Sequence, residues 1–317
     1  MVIANMARRK PHLSIGIPVF NGEKYLEDAL DSILSQTYSD FELIISDNAS
    51  TDKTPQICLR YAKKDKRIHY YQNTKNVGAP ANYNLTFKLS SGDYFKWAAH
   101  DDLLAPDYLK RCVEVLDNDE TIVLCHSKIG RIDENSVLVG NFDDSSLNNI
   151  SSPQPHERFG DMISRRNSCW MIMGVMRAKC LSRTPLHGSY IDADRNLLAE
   201  LSLMGRVYEI PEHLFFVRYH PQSYTSTYYS KSSPVQDYRR QLFWWTGKRR
   251  GPVIVLPHWK NFLEYFRSSN RVSLTLSERW LCYREIGRWL LKEKGYQLMK
   301  WDLTNEFEFW RTKLRYS

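Results

Sequence analysis

Two adjacent carboxylates, Asp101 and Asp102, follow an aromatic run at residues 94–97 that has the pattern of a strand. Like charges side by side repel each other unless a cation lies close to them. Carboxylate oxygens are hard ligands that suit Mg²⁺ or Mn²⁺, and such an ion can bridge to phosphate oxygens and stabilise a departing phosphate group. Aspartate is also a common helix cap, so capping of a helix near Pro106 is the alternative interpretation of this pair.

The sequence gives no support to several other kinds of chemistry. It has no G-x-S-x-G segment, and Cys169 has no histidine near it in the sequence, so serine and cysteine hydrolase mechanisms are set aside. No glycine-rich dinucleotide motif or P-loop follows a predicted strand, so another element must hold phosphates. The six cysteines lack a C-x-x-C pair and fit reduced core thiols better than a zinc site or a disulfide framework.

Alternating apolar runs and amphipathic segments predict the elements that position the aspartates. Strands are predicted at residues 13–19, 41–46, 68–72 and 94–98, and helices at residues 23–35, 54–64, 80–89 and 107–116. This alternation predicts a Rossmann-like α/β fold, with a mostly parallel sheet flanked by helices. In an open parallel sheet the ligand lies beyond the carboxyl ends of the strands, which is where Asp47, Asn76 and Asp101 fall.

The second half of the chain is predicted to complete the sheet and then to become helical. A strand is predicted at residues 122–127, a polar loop over the site at 141–157, a helix at 194–204, and closing strands at 207–210 and 215–219. Beyond Ser230 the pattern predicts a helical extension, with Trp280, Tyr283, Ile286, Trp289 and Leu290 on one helix face. We therefore expect a catalytic domain over residues 1–230 and a C-terminal region over residues 231–317.

The charge distribution singles out the C-terminal region. The chain of 317 residues has a formal charge of +8, and from Lys231 onward there are eighteen Lys and Arg against eight Asp and Glu, together with seven of the nine tryptophans. This composition fits peripheral contact with anionic lipid headgroups. The alternative is a helical cap whose tryptophans are core. No nucleic-acid-binding motif accompanies the charge.

No apolar run is long enough to span a bilayer of about 30 Å, and no signal-peptide run follows the basic residues near the N-terminus. We therefore expect a cytoplasmic protein, with residues 1–10 as a loose tail and a possible position at the inner face of the cell membrane.

Four ordered segments give the chain its family resemblance. They are S-I-G-I-P-V-F-N at residues 14–21, I-I-S-D-N-A-S-T-D at 44–52, N-V-G at 76–78 with Asn82, and G-D-Y at 92–94. On these segments the chain, from Leu13 to about Ser223, resembles glycosyltransferase family 2, a group of inverting enzymes with the GT-A fold. The resemblance implies transfer of a sugar from a nucleoside diphosphate sugar, with Mg²⁺ or Mn²⁺ as cofactor.

The resemblance also implies roles for individual residues. Asp47 would contact the nucleobase, since a carboxylate can accept the ring N–H of uracil or thymine, although a solvated turn residue is the alternative. The remaining nucleotide-sugar site would be formed by Pro18, Phe20, Asn21, Asn76, Asn82, His100, Asp101 and Arg218. Metal ligands would come from Asp101, Asp102 and His220. Arg218 would clamp the diphosphate, and His220 would join the metal or a phosphate oxygen.

The catalytic base in the family is a carboxylate at the start of a late helix, which takes the acceptor proton. The segment Y-I-D-A-D-R at residues 190–195 is similar to that element. Asp194 is the expected base because it lies at the predicted helix start, and Asp192 is the alternative. Two residues apart, the two side chains cannot both face the sugar from one helical turn. Helix capping is the competing interpretation.

Two positions depart from the family pattern. Asn48 stands where a second acidic residue is common, and Ala99 stands where the usual D-x-D begins. Metal binding should therefore depend mainly on Asp101, the diphosphate and water, which predicts a loosely held ion. Asp102 is then more a supporting or capping residue than a full ligand.

Sugar transfer to a hydroxyl of a glycan or polyprenyl-linked acceptor, as in bacterial surface polysaccharide synthesis, is the function that these patterns favour. A pyrimidine donor, UDP- or dTDP-linked, is expected. Two other classes remain as alternatives, a nucleotidyltransferase of similar fold and a sugar-nucleotide-binding protein without turnover. The first usually opens with a Gly-rich loop, which F-N-G-E at residues 20–23 is not. The second is suggested by Ala99.

Overall fold

The computed structural model describes residues 10–142, 150–164, 169–221, 223, 256–292 and 295–315. The strands in these residues are β1 (Leu13–Val19), β2 (Phe41–Asp47), β3 (Ile68–Gln72), β4 (Tyr94–Trp97), β5 (Leu103–Leu104), β6 (Ile122–Ile132), β7 (Leu138–Phe142), β8 (Val175–Arg177) and β9 (Arg206–Arg218). The helices are α1 (Leu26–Leu34), α2 (Thr54–Lys64), α3 (Ala79–Lys88), α4 (Tyr108–Asn118), α5 (Pro155–Ile163), α6 (Ala178–Leu181), α7 (Ala193–Met204), α8 (Pro257–Arg271), α9 (Leu276–Leu291) and α10 (Gly295–Arg315).

All nine of these strands belong to one mixed sheet. Its order is β3-β2-β1-β4-β8-β6-β9-β5, and β7 pairs with β6. The pairs β1–β2, β2–β3, β1–β4 and β6–β9 are parallel, whereas β8 lies antiparallel between β4 and β6. The parallel order β3-β2-β1-β4 follows from helical crossovers between consecutive strands. It brings the carboxyl ends of β1, β2 and β4 to one edge, as the sequence predicts.

Two hydrophobic cores cover the sheet. The first contains Leu13, Ile15 and Ile17 of β1 together with helices α1 and α4. The second contains Phe95 and Trp97 of β4 together with side chains from α5, α7, α8 and α9. The predicted fold class is thus confirmed as a mostly parallel sheet flanked by helices with further helices at the C-terminal end. The six cysteines are buried and none of them forms a disulfide, as expected.

Several predicted boundaries were wrong. The closing strands predicted at residues 207–210 and 215–219 form one continuous strand, β9, because it follows β6 over almost its whole length. The polar segment at 141–157 is not a uniform loop, since it includes the end of β7 and the start of α5 at Pro155. Its residues 143–149, and the predicted tail at 1–9, lie outside the described residues.

The C-terminal helices pack against the second core. Tyr265 of α8, and Ile286 and Trp289 of α9, are buried there, but Trp280 is 64% exposed and does not lie on the buried face that was predicted for it. Of the C-terminal tryptophans, Trp244 and Trp245 lie outside the described residues. The domain boundary at residue 230 stays a prediction. None of the helices in the described residues is long and apolar enough to cross a membrane.

Candidate active site

The turn after β1 and the loop after β2 are joined at the carboxyl edge of the sheet. Asn21, with a left-handed φ of 52°, accepts a hydrogen bond from the Thr51 backbone N–H at 2.9 Å, and the Gly22 N–H donates to Thr54 Oγ1 at 2.8 Å. Phe20 is 45% exposed, whereas Pro18 is buried. Glycine is required at position 22 because a Cβ there would lie 2.7 Å from the ring of His100.

Asp47 lies at the end of β2 and is fully buried. Its carboxylate accepts hydrogen bonds from the Ser50 N–H at 2.8 Å, the Tyr70 hydroxyl at 2.8 Å and Gln72 Nε2 at 3.3 Å. Asp47 is therefore a buried anchor of the loop rather than a solvated turn residue.

An amide network joins the loops that follow β2 and β3. Asn48 donates to Asn76 Oδ1 at 3.0 Å and accepts from the Val77 N–H at 2.8 Å. Asn82 is buried and donates to the Ser46 carbonyl oxygen at 2.8 Å. The amide of Asn48, which replaces a common acidic residue, thus donates to one loop partner and accepts from another, which a carboxylate could not do.

Asp101, which follows β4 in the chain, meets His220, which follows β9. Asp101 Oδ2 lies 3.0 Å from His220 Nε2, and the His220 ring packs on Tyr25 with the centroids 4.7 Å apart. Burial alone would raise the pKa of Asp101, but the neighbouring His100 and the hydrogen bond from His220 hold that pKa below its usual value. Asp101 is therefore the carboxylate of the pair that stays ionised.

Asp102 makes a different contact from Asp101. Asp102 Oδ1 accepts a hydrogen bond from the Arg218 backbone N–H at 3.0 Å, and the residue is 8% exposed. Burial raises the pKa of Asp102 well above its usual value, and the charge of Asp101 raises it further. This geometry favours the supporting role for Asp102 over metal binding. Neither aspartate caps the next helix, which begins at Tyr108.

The guanidinium of Arg218 is occupied by protein groups. Its side chain is fully buried, its Nε donates to the Asp101 carbonyl oxygen at 2.8 Å, and its Nη atoms reach backbone oxygens of Asp133 and Glu134 and the carboxylate of Asp28. The guanidinium also lies 4.7 Å from the centre of the Tyr25 ring. This arrangement does not support the predicted diphosphate clamp, and it indicates that Arg218 fixes the segment that carries Asp101.

The donor set allows only a sparse metal site. In the described part of the chain no group of three or more His, Cys, Asp and Glu side chains could hold a metal ion by itself. Asp101 and His220 present one carboxylate and one imidazole within 3.0 Å of each other, which is a fitting pair for Mn²⁺. The other ligands would have to be diphosphate oxygens and water.

Asp192 and Asp194 lie at the start of α7. Asp192 has a left-handed φ of 61° and makes no side-chain capping bond, and Asp194 follows in the first turn. Burial, together with the charge of Asp192, raises the pKa of Asp194 to about 6. A carboxyl group with such a pKa can take up and release a proton near neutral pH, as a general base must.

Tyr83 of α3 packs beside Trp97 of β4, with the ring centroids 6.2 Å apart. Burial raises the pKa of Tyr83, and the charges of Asp101, Asp102 and Asp194 raise it further. The sequence analysis did not single out Tyr83, although it follows the Asn82 landmark directly. It also missed Lys96, which is fully buried and donates to the Met173 carbonyl oxygen. Neither residue has a local sequence signal that would mark it.

Comparison with known protein families gives one clear result. The model of the family described as glycosyl transferase family 2 matches residues 14–173, which is about half of the chain. An uncharacterized glycosyltransferase of Rickettsia typhi is 40% identical over 118 residues, which cover 36% of this chain and 36% of that protein. Another from Haemophilus influenzae is 26% identical over 221 residues, covering 69% and 68% of the two chains. The match to the Rickettsia relative thus spans about a third of that protein's length.

Solved structures resemble this chain over most of its length. S. aureus TarS 1–349 in complex with UDP-GlcNAc has a TM-score of 0.55 at 16% identity, with 95% of this chain and 89% of that chain covered. The mannosyltransferase PcManGT from Pyrobaculum calidifontis, in complex with GDP-Man and Mn²⁺, has a TM-score of 0.51 at 17% identity, with 94% and 86% covered. At such identities the likeness shows that these chains share a fold.

Proposed function

This chain belongs to glycosyl transferase family 2, and from that premise we propose that it moves a sugar from a nucleoside diphosphate sugar to an acceptor hydroxyl with inversion at C1. One observation carries the proposal: Asp101, on the predicted diphosphate side, lies 3.0 Å from His220, and a second carboxylate, Asp194, stands in the first turn of α7 as the expected base. A donor sugar between them would have its leaving group near one carboxylate and its attacked face near the other.

In the proposed reaction Asp194 accepts the proton of the acceptor hydroxyl as that oxygen attacks C1. The bond from C1 to the diphosphate oxygen breaks, and the nucleoside diphosphate leaves with the electron pair. A divalent cation, when bound by Asp101 and His220, would neutralise charge on the leaving diphosphate. Arg218 holds the backbone of Asp101 in place. A single base on the far side of the sugar fits one displacement, and hence inversion.

The donor pocket is proposed to lie at the joined loops of β1 and β2. Asp47 would bind the nucleobase, and Pro18, Phe20 and Asn21 would border it. Asn76 and Asn82 would hold the loop in shape, and His100 would lie beside the diphosphate. TarS was solved with UDP-GlcNAc and the mannosyltransferase with GDP-Man. A pyrimidine nucleotide stays our proposal for this chain because a carboxylate accepts the ring N–H of uracil.

Release of free nucleoside diphosphate tests this function. The purified chain is incubated with Mn²⁺ and, in turn, UDP-GlcNAc, UDP-glucose, a dTDP-sugar and GDP-mannose, and released diphosphate is measured. We expect release from at least one donor, with loss of about 100-fold or more in Asp194→Asn because one general base contributes 10²–10⁴-fold. Donor binding should be retained in that variant.

Two outcomes would favour the alternatives. One is that no donor releases nucleoside diphosphate, while a nucleoside triphosphate and a sugar phosphate are converted to a sugar nucleotide. That result would identify a nucleotidyltransferase. Tight donor binding with no release in either wild type or variant, with every acceptor tried, would identify a binding protein without turnover.

We also propose peripheral membrane contact through α9. Leu276, Trp280 and Leu291 are 83%, 64% and 71% exposed and lie on one stripe of the helix, since their spacings of four and eleven residues return to the same face. Arg284, with a half-exposed side chain, lies beside this stripe. An apolar stripe flanked by positive charge fits an anionic lipid surface, where a polyprenyl-linked acceptor would be found.

A further inference from the structure

Tyr25 is a buried aromatic residue to which the proposed reaction assigns no role. It is 5% exposed and lies directly before Leu26, the first residue of α1. Its backbone N–H donates to the Gly22 carbonyl oxygen at 3.2 Å, so its position in the chain is fixed by the turn that follows β1. That turn is at the carboxyl edge of the sheet, and it directs the ring of Tyr25 towards the end of β9.

Two side chains at the end of β9 pack on the Tyr25 ring. The centre of the His220 imidazole lies 4.7 Å from the centre of the phenol ring at an angle of 51°, and the guanidinium carbon of Arg218 lies 4.7 Å from the same ring centre. His220 contacts the carboxylate of Asp101, and Arg218 donates to the Asp101 carbonyl oxygen. One ring therefore contacts both of the residues that join the end of β9 to Asp101.

An aromatic ring suits Arg218 better than an aliphatic side chain would. The Arg218 side chain is fully buried, whereas the carboxylate of its partner Asp28, at 3.2 Å, is 54% exposed and is screened by water. The other hydrogen bonds of the guanidinium go to neutral oxygens. The negative face of a phenol ring attracts a guanidinium, and the attraction is stronger where water is absent. The ring of Tyr25 therefore helps to hold a buried cation in place.

The hydroxyl of Tyr25 makes a longer and more exposed contact than the ring does. It donates to Glu134 Oε2 at 3.3 Å, and the Glu134 side chain is 43% exposed and also pairs with Lys24. Glu134 keeps Lys24 as a partner when the hydroxyl is removed. The ring and the hydroxyl can thus be tested separately, because phenylalanine at this position keeps the ring and removes only the hydroxyl.

We propose that Tyr25 is a positioning residue for the metal-binding pair, and that its ring holds the imidazole of His220 beside the carboxylate of Asp101. The proposal rests on the proposed function, in which Asp101 and His220 bind one divalent cation, and it adds the residue that orients the second ligand. An imidazole that could turn away from Asp101 would leave a single side-chain ligand for the ion. The Tyr25 ring therefore increases the affinity for the metal without touching it.

Binding of Mn²⁺, rather than turnover, tests the proposal. Free Mn²⁺ is measured by electron paramagnetic resonance during titration of the full chain with saturating UDP or, in a second series, GDP. We expect Tyr25→Leu to bind Mn²⁺ about 10-fold more weakly, because loss of a residue that orients a metal ligand typically costs 10–100-fold in affinity. Tyr25→Phe keeps the ring and should bind Mn²⁺ as the wild type does.

A double variant separates positioning from a general loss of structure. If the Tyr25 ring acts through His220, then Tyr25→Leu combined with His220→Gln should bind Mn²⁺ no more weakly than His220→Gln alone, since residues that act as a unit give non-additive losses. Ile33→Ala leaves a cavity under the same helix, where Ile33 is 1% exposed, and should lower the melting temperature without changing the affinity for Mn²⁺. If Tyr25→Leu does not fold, Tyr25→Met removes the ring with a more adaptable side chain.

The position of the imidazole can also be measured without metal. In NMR spectra of the metal-free chain, the ring protons of His220 should show a ring-current shift in the wild type and in Tyr25→Phe, and this shift should disappear in Tyr25→Leu. The His220 signals are identified by their absence from the spectrum of His220→Gln.

Three results would overturn the proposal. The first is equal affinity of Tyr25→Leu and the wild type for Mn²⁺. The second is additive losses in the double variant, which would mean that Tyr25 does not act through His220. The third is an unchanged His220 signal in Tyr25→Leu. If the wild type itself binds no Mn²⁺ with either nucleotide, the metal site of the proposed function is wrong, and that outcome is recognised without any variant.

Discussion

Asp194 and Asp192 lie within one turn of each other, so the charge of one acts on the proton affinity of the other. Burial and the charge of Asp192 together raise the pKa of Asp194 to about 6, although Arg195, on the same turn, lowers it. A carboxyl group with a raised pKa remains protonated, and useless as a base, until the pH rises past that value.

The acidic limb of the activity profile follows from this pKa. We expect kcat/KM to rise as pH increases through about 6, because the base must lose its proton before it can accept one. In Asp192→Asn the limb should move to lower pH, since a negative charge that raises the pKa of Asp194 is gone. Diphosphate release measured from pH 4.5 to 8 checks both statements.

The same series distinguishes the two candidate bases. If Asp192→Asn loses activity at every pH while Asp194→Asn keeps it, Asp192 is the base and the assignment made from the helix start is wrong.

The raised pKa of Asp194 also makes the stability of the fold depend on pH. Since the folded-state pKa of Asp194 is above its usual value, its contribution to the free energy of unfolding declines as pH rises from about 4 to about 6.

The metal requirement can be tested at His220, which lies 3.0 Å from Asp101 Oδ2. Chelation with EDTA should lower diphosphate release, and added Mn²⁺ should restore it. In His220→Gln the Mn²⁺ concentration for half-maximal activity should rise about 10-fold, because loss of a ligand or its orienting partner typically costs 10–100-fold in metal affinity. His213→Gln, on β9, is the matched control. Activity that is indifferent to EDTA would contradict the metal site.

At the scale of elements, helix α7 is fixed by contacts with α8. Glu200 of α7 is 1% exposed and accepts from Arg271 Nε at 3.0 Å and from Ser268 Oγ at 2.8 Å. Near the base, Asn261 of α8 donates to the Ile191 carbonyl oxygen at 3.2 Å and accepts from Asn196 at 2.8 Å. The C-terminal region thereby helps to position the helix that carries Asp194.

Removal of Arg271 should be costly because it leaves the buried Glu200 carboxylate without its cation. We expect Arg271→Met to lower the free energy of unfolding by about 3–5 kcal/mol, measured by urea denaturation. The paired change Arg271→Met with Glu200→Gln should recover part of the loss. Arg267→Met removes a guanidinium that is 55% exposed and should cost less than about 1 kcal/mol. Equal losses in the free energy of unfolding for Arg271→Met and Arg267→Met would show that the buried Arg271–Glu200 pair stabilises the fold no more than an exposed ion pair.

At the scale of the whole molecule, the second core joins the sheet to the C-terminal helices. Tyr265, Ile286 and Trp289 are at most 5% exposed and pack in the same cluster as Phe95 and Trp97 of β4. Deletion of everything beyond residue 230 would expose the apolar surface of α5 and α7. We expect such a truncated chain to aggregate or to lose cooperative unfolding, as checked by size-exclusion chromatography and thermal melts. A stable monomer of residues 1–230 would instead support an independent first domain.

Membrane contact is therefore better tested with point changes than with truncation. Flotation with vesicles containing phosphatidylglycerol should be reduced several-fold in Trp280→Ser with Leu291→Ser, because the exposed apolar stripe supplies buried area in the lipid interface. Tyr71→Ser, an exposed aromatic residue at the far edge of the sheet on β3, is the control. Equal flotation of the wild type and the double variant would rule out this stripe as the contact surface.

The sequence by itself determined the elements and the sheet edge at which the candidate site lies. Apolar runs and helical periodicity are local properties, and so the first four strands and the helices between them were predicted within a few residues. Asp47 and Asp101 could be placed at one edge because parallel strands joined by crossovers end on the same side. The family motifs could also be recognised from local sequence, since each occupies one short segment.

Only the tertiary structure decided which polar atoms of these residues are already bonded to other parts of the protein. Asp102 and Arg218 are 116 residues apart, yet the Arg218 backbone N–H donates to Asp102 Oδ1 and the Arg218 side chain donates to the Asp101 carbonyl oxygen. Asn84 and His187 are 103 residues apart, and their two hydrogen bonds bring His187 beside Tyr83. Contacts across such separations leave no periodicity in the sequence. They are set by how the sheet and helices pack, and that packing appears only in the folded chain.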